Sequence, residues 1–288
     1  MSLRIVTCNV MVMAYGIVTE WAARNGHQIV LLVTSPAATA ERYGASYLNV
    51  VEVAAAQHPV LVTSKLWMAA PMIAAAQPDL LLSATFPHKL PTSVISIPRF
   101  GAYNLHPTPL PQGRGPNPQR LIYEGADTVG ATLHQTTAEF DAGAIFSRQE
   151  APLPEDLTGE AIFAIWRQLA SAALEEGIAR ALAGDPGDPQ DEALASYGAP
   201  FTREERWLSW DRPLQLLRKQ VAVLAPNAFA ILDGAPVALL SLHAEPMEIP
   251  SVPPGSVLKR TDREAVVRVQ DGVARVTVKQ LIAGDNAG

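Results

Sequence analysis

The 288-residue chain has one cysteine. Cys8 therefore excludes an intrachain disulfide and suits a reducing compartment, so a cytoplasmic location is expected. It lies in an apolar run near the start and reads as a buried core thiol. No uninterrupted apolar stretch reaches membrane-spanning length. The apolar run from Ile5 to Val18 is broken by Asn9, and Glu20 and Arg24 follow without a small-x-small cleavage site. It is read as a first strand and helix, not a secretory leader. Charged residues are only 17% of the chain, with a net charge of −6 and no block of like sign. Nothing in that pattern announces a nucleic-acid surface. Asn9 to Gly16 holds a single glycine. That argues against the Gly-x-Gly-x-x-Gly turn of a dinucleotide site. No Gly-x-Ser-x-Gly elbow exists either. The histidines lack metal-ligand spacing, so no metal is expected.

What is present is an alternation of strand and helix patterns. Strands are expected at 3–9, 28–34, 60–63, 79–84, 103–106 and 129–136. Helices are expected near 15–25, 47–57, 65–76, 118–124 and 158–183, with Thr158 capping the last. This order predicts an α/β fold with a doubly wound, mostly parallel, Rossmann-like sheet. Residues 184–200 are rich in Gly, Pro, Asp and Ala and read as a linker. A helix near 212–223 and five short strand-like runs follow, at 228–232, 236–242, 256–259, 264–269 and 273–281. A small OB-like β-barrel is the expected C-terminal module. The domain reading is 1–184 catalytic, 185–205 linker and 206–288 C-terminal.

Chemistry concentrates in Asn104-Leu-His-Pro-Thr-Pro-Leu-Pro-Gln-Gly-Arg-Gly115. Asn104 and His106 alternate at the carboxyl end of the fifth strand and share a face. Pro107, Pro109 and Pro111 end the strand and stiffen the loop, while Gly113 and Gly115 allow tight turns. Asp141 follows the sixth strand. An Asn amide suits an oxyanion, a His moves protons, and an Asp beside it raises the imidazole pKa. Together they suit attack on a carbonyl by a substrate nucleophile. Each has a plainer reading as well: a strand-end amide, a packed imidazole, a turn aspartate. His134 reads as strand-face packing or as a ligand contact. Trp207 and Trp210 read as domain-junction core.

Leu90-Pro91, Ile97-Pro98, Asn104-Leu-His106-Pro, Leu110-Pro111, Arg114-Gly115 and Phe140-Asp-Ala-Gly143 resemble the 10-formyltetrahydrofolate-dependent formyltransferases. Ala195-Ser-Tyr-Gly-Ala-Pro-Phe-Thr-Arg and Leu208-Ser-Trp-Asp-Arg-Pro resemble the junction to the C-terminal domain in the methionyl-tRNA enzymes of that family. The resemblance implies an N-formyltransferase with 10-formyltetrahydrofolate as co-substrate. It implies catalytic roles for Asn104, His106 and Asp141, with a protonated His106 held by Asp141. Folate is expected against the loops at 86–90 and 135–141, which makes Phe86, His88, Leu90 and Glu139 candidate contacts. Thr108 and Arg114 are candidate acceptor contacts. The chain departs from the tRNA enzymes at Thr108-Pro109 and at residues 35–44, where Arg42 is the one positive charge. The departures point to a small-molecule amine, such as an amino sugar, an amino acid or an N-hydroxyornithine. Methionyl-tRNA is the alternative acceptor, and a non-catalytic folate-binding relative a further one.

Overall fold

The computed structural model describes residues 1–36 and 46–281, and the chain divides into two compact units. The departure at 35–44 therefore lies almost wholly outside the described residues. The first unit comprises Met1–Pro118, Val129–Ala151 and Ala164–Tyr197. Its centre is a seven-stranded sheet of order β3-β2-β1-β4-β5-β6-β7. The strands are β1 (Arg4–Asn9), β2 (Gln28–Thr34), β3 (Val60–Val62), β4 (Leu80–Ala84), β5 (Ala102–His106), β6 (Thr128–Gln135) and β7 (Ile145–Pro152). β3, β2, β1, β4 and β5 run parallel, and β6 is antiparallel to β5. This is the expected mostly parallel sheet.

Parallel strands need crossovers, and helices supply them. They are α1 (Val12–Arg24), α2 (Ser46–Ala55), α3 (Leu66–Ala75) and the single turn α4 (Thr92–Ile95). α1 ends where Gly26 takes a φ of +69°, a conformation glycine adopts without penalty. Strands covered on both faces must be apolar on both faces. Val6, Cys8, Leu31, Val33 and Leu81 accordingly pack with Ile73 and Val94. Leu32 packs with Tyr15, Val50 and Ala54 in a separate cluster. Cys8 is fully buried, which pushes its thiol pKa up to about 12 and leaves it no nucleophilic role.

Two elements differ from expectation. β7 has no counterpart in the predicted strands, because its second half, Arg148-Gln-Glu-Ala-Pro, alternates between exposed and partly buried positions on a sheet edge. Residues 185–197 do not hang free as a linker. Asp188 bridges to Ile145 and Tyr197 bridges to Arg114, so this strap is part of the first unit. α6 (Gly159–Leu182) precedes it, and Thr158 caps that helix by accepting the Ala161 N–H at 3.1 Å.

The second unit gathers Gln119–Thr128, Pro152–Phe163 and Gly198–Gly288. It holds α5 (Arg120–Tyr123), α7 (Leu214–Leu224), β8 (Ala228–Leu232), β9 (Ala235–Ala244), β10 (Val257–Arg260), β11 (Glu264–Val269) and β12 (Gly272–Gln280). Its five strands form one antiparallel sheet of order β10-β11-β12-β9-β8. Leu217, Val221 and Leu224 recur on one face of α7 and close the apolar core, which includes Trp210. Trp207 packs its ring on Phe229. Both tryptophans therefore belong to this unit's packing.

One close approach fixes the loop after β5. A Cβ on Gly130 of β6 would stand 2.5 Å from the Pro109 backbone nitrogen and ring. Neither can swing aside. Gly130→Ala should therefore lose about 1–3 kcal/mol of stability through overpacking, measured by urea unfolding. An unchanged urea midpoint would mean that the loop has slack.

Candidate active site

β5 and β6 build the site on one face of the sheet. Asn104 and His134 are direct cross-strand partners, and His106 lies two residues beyond Asn104 on the same face. Asn104 Nδ2 is 3.1 Å from His134 Nε2 and 3.3 Å from Asp141 Oδ1. Its Oδ1 accepts from Ser83 Oγ on β4 at 2.8 Å. The acceptors on one side and the hydroxyl on the other leave the amide a single sensible orientation.

Backbone carbonyls assign the tautomers. His134 Nδ1 is 2.9 Å from the Gln135 carbonyl, so Nδ1 carries the hydrogen and Nε2 accepts from Asn104. His106 Nε2 is 2.9 Å from the Gly113 carbonyl, so Nε2 donates. His106 Nδ1 then faces Asp141 Oδ1 at 3.6 Å, beyond a hydrogen bond, and an ion pair only when the ring is protonated.

Asp141 reaches this cluster from a strained backbone. Its φ is +50°, a left-handed conformation that costs a non-glycine residue on the order of 1 kcal/mol. Oδ2 accepts the Gly115 N–H at 2.8 Å. Next to it, a Cβ on Gly143 would fall 1.9 Å from the Gln135 carbonyl, so only glycine fits that approach. Burial pushes the Asp141 carboxyl pKa up, but the His134 and His106 contacts and the Gly115 N–H outweigh it, and the group is held below the ordinary carboxylate range.

His106 departs from expectation in the other direction. The aspartate was expected to raise its pKa and keep it protonated. Burial instead pulls the pKa below 6.5, and Asp141 and the Gly113 carbonyl only partly oppose that pull. A lowered pKa favours the neutral ring, in which Nε2 donates to the Gly113 carbonyl and Nδ1 carries the lone pair.

The family profile described as Formyl transferase matches residues 12–178, and that described as Formyl transferase, C-terminal domain, matches residues 200–287. The chain belongs to the formyl transferase family. It is 32% identical over 268 residues to a methionyl-tRNA formyltransferase of Thiobacillus denitrificans, covering 90% of this chain and 85% of that one. In fold it resembles HypX from Aquifex aeolicus in complex with tetrahydrofolic acid, at TM-score 0.69 and 19% identity. That match covers 98% of this chain but 45% of HypX. It also resembles an N-formyltransferase from Helicobacter canadensis in complex with folinic acid and dTDP-3-aminofucose. The TM-score there is 0.65 at 13% identity, over 96% of this chain and 99% of that one.

Several candidate residues of this formyltransferase sit elsewhere than expected. Thr108 is buried, and its hydroxyl donates to the Gln112 carbonyl at 2.7 Å. Arg114 is held by Gln190 Oε1 and by both carboxylate oxygens of Glu192. Both side chains brace the loop. Leu90 is buried in the core with Val94. The Glu139 side chain is exposed and joins none of the site's contacts among the described residues. Phe86 and His88 do line a loop together, with rings 5.5 Å apart. Sequence reasoning left His134 with two readings and missed Ser83 and Gln190. The alternation Val129, Ala131, Leu133 hid His134 as one more strand position, and only the β5–β6 register brings it to Asn104.

His106 yields a stability prediction. The folded chain binds its proton less tightly than the unfolded chain does. The group's contribution is therefore whole above about pH 6.5 and is lost as the pH falls below it. The melting-temperature gap between wild type and His106→Gln should shrink between pH 7 and pH 5. A gap that widens toward acid would mean a stabilised imidazolium.

Proposed function

We propose that this formyltransferase moves a formyl group from 10-formyltetrahydrofolate to the primary amine of an acceptor. The observation that carries this reading is the convergence of the Asn104 amide, the neutral His106 and the ionised Asp141 on one sheet face. The residues present suit a folate. His88 Nε2 and Thr85 Oγ1 are buried without a hydrogen-bond partner among the described residues. Thr85, at the end of β4, holds a φ of +52°, unusual for a β-branched residue. A pterin ring offers polar edges to such orphaned atoms.

The chemistry divides among the three side chains. The acceptor amine attacks the formyl carbon, and the Asn104 amide donates to the oxygen that becomes negative. Ser83 holds that amide in orientation. His106 Nδ1 takes the proton from the attacking nitrogen, and Asp141 at 3.6 Å stabilises the imidazolium so formed. The same imidazolium returns the proton to N10 as the carbon–N10 bond breaks. His106 thus starts as a base and finishes as an acid, where the protonated form was expected at the outset. His134 orients Asn104 and adds a second imidazole to the Asp141 surroundings.

For the acceptor, the preference for a small amine gives way to methionyl-tRNA. The support is identity with the methionyl-tRNA enzymes spanning both units: 32% over 90% of the chain, and 30% over 97% with a Roseiflexus relative. A small amine stays as the second reading, because a chain of net charge −6 offers few cations for the several phosphate contacts that tRNA needs.

Purified protein with 10-formyltetrahydrofolate should release tetrahydrofolate and formylate methionyl initiator tRNA. Turnover confined to amino sugars or amino acids would transfer the assignment to the second reading, and no turnover with any amine would overturn both. Asn104→Ala and His106→Ala should each lose about 100-fold or more in kcat. Rates within a few-fold of wild type would remove those residues from the chemistry. In the wild type, kcat should fall as the pH drops through the His106 pKa, which lies below 6.5. A rate that rises toward acid would contradict a basic role.

A further inference from the structure

We infer that Gln190, in the strap at 185–197, is a positioning residue for the reaction, acting through Asp141. The inference rests on the formyl-transfer reading of the site. Asp141 sits in a left-handed conformation, which an aspartate tolerates better than most side chains but which still depends on support from its neighbours. Hydrogen bonds from outside the turn lock such a backbone in place. Gly115 holds the carboxylate, but the main chain around Asp141 is held by Gln190. Its Nε2 donates to the Asp141 carbonyl at 2.7 Å and to the Gly143 carbonyl at 2.8 Å. One amide thus closes both sides of the turn that presents the carboxylate.

The orientation of that amide is forced. Gln190 Oε1 accepts from Arg114 Nε at 3.0 Å and Nη2 at 2.8 Å. Flipping the amide would set its NH2 against a guanidinium, which only donates, and its oxygen against two carbonyls. Arg114 is in turn fixed by a two-point contact to Glu192, two residues along the same strap. Arg114 also belongs to the loop whose Gly113 carbonyl accepts from His106 and whose Gly115 N–H donates to Asp141. The strap grips that loop independently. Ser196 Oγ accepts the Gly113 N–H at 2.9 Å, and the Ser196 carbonyl accepts the Arg114 N–H at 2.9 Å. Upstream, Arg180 binds Asp185, Asp188 and the Phe146 carbonyl.

Gln190 therefore sets the distance between Asp141 and His106. That distance controls how far the carboxylate supports the transient imidazolium. No atom of Gln190 is needed at the reacting carbon.

Two near-isosteric variants separate the parts of this role. Gln190→Met keeps length but loses the donors and the acceptor. Gln190→Glu keeps the pairing with Arg114 and loses both N–H donors to the turn. With formyl transfer by the wild type as reference, both variants should lose about 10- to 100-fold in kcat, the scale of a misplaced catalytic group. The KM for 10-formyltetrahydrofolate should stay within about 2-fold. In Q190M the acid limb of the kcat–pH profile should move to lower pH, because a displaced Asp141 no longer raises the His106 pKa. The Gly115 amide proton resonance, a readout independent of turnover, should shift in both variants. An active wild type with wild-type kcat in Q190E, or an unmoved Gly115 amide in Q190M, would overturn the inference. An inactive wild type would instead overturn the formyl-transfer reading, while the Gly115 resonance would still report whether Gln190 holds the turn.

Discussion

The site depends on one buried carboxylate. Asp141 is 9% exposed, and a charge so placed must be paired or hydrogen-bonded or it would neutralise. The Gly115 N–H and the Asn104 amide meet that demand, with two imidazoles within 3.6 Å of the same carboxylate. Each of these groups is fixed by something further away. Ser83 sets Asn104, Gln135 and Gly113 carbonyls set the two imidazoles, and the strap sets the turn that carries Asp141. The consequence is a division of protonation states. The Gly115 N–H and the Asn104 amide donate to the carboxylate and help to hold its pKa down, while burial pulls the His106 pKa below its ordinary value. A neutral base beside a fixed anion is poised to take a proton once and give it back, which direct transfer of an acyl group between two nitrogens requires.

Much of this was legible in the sequence because period and punctuation are local. The apolar strands, covered on both faces, and their helical crossovers declared the parallel sheet. Asn104 and His106 declared a shared face through the two-residue repeat of β5. The prolines and glycines after β5 marked a stiff, tightly turning loop, while the Gly115 N–H as a donor to Asp141 came only with the structure. What was hidden depends on register and on side-chain pairing across distance. His134 reaches Asn104 only because β6 runs antiparallel and aligns those two residues. β7 hid because an edge strand carries polar residues on its outer half. Thr108 and Arg114 looked like substrate contacts because a polar group on a loop has no visible partner in a sequence. Their partners lie 4 residues away for Thr108, and 76 and 78 for Arg114. Residues 185–197 looked like a linker for a related reason. Gly, Pro and Asp mark irregular backbone, and irregular backbone is as suited to bracing a loop as to joining domains.

The acceptor is decided by different physics from the reaction. In the proposed reaction the cluster of Asn104, His106 and Asp141 meets only the carbonyl and the amine, whatever the amine belongs to. Selection must come from surfaces that contact the rest of the acceptor. Identity to the methionyl-tRNA enzymes extends through both units and favours a large acceptor. The sparse, acidic charge works against phosphate contacts and favours a small one.

The central claim is that His106 rests neutral, protonated on Nε2, beside an ionised Asp141. An NMR titration of 15N-labelled histidine reads this directly, since nitrogen shifts distinguish the two tautomers and the cation. The account predicts an Nε2–H neutral ring at pH 7 and a His106 pKa below 6.5. A His106 that is cationic at pH 7, or neutral with its hydrogen on Nδ1, would contradict it.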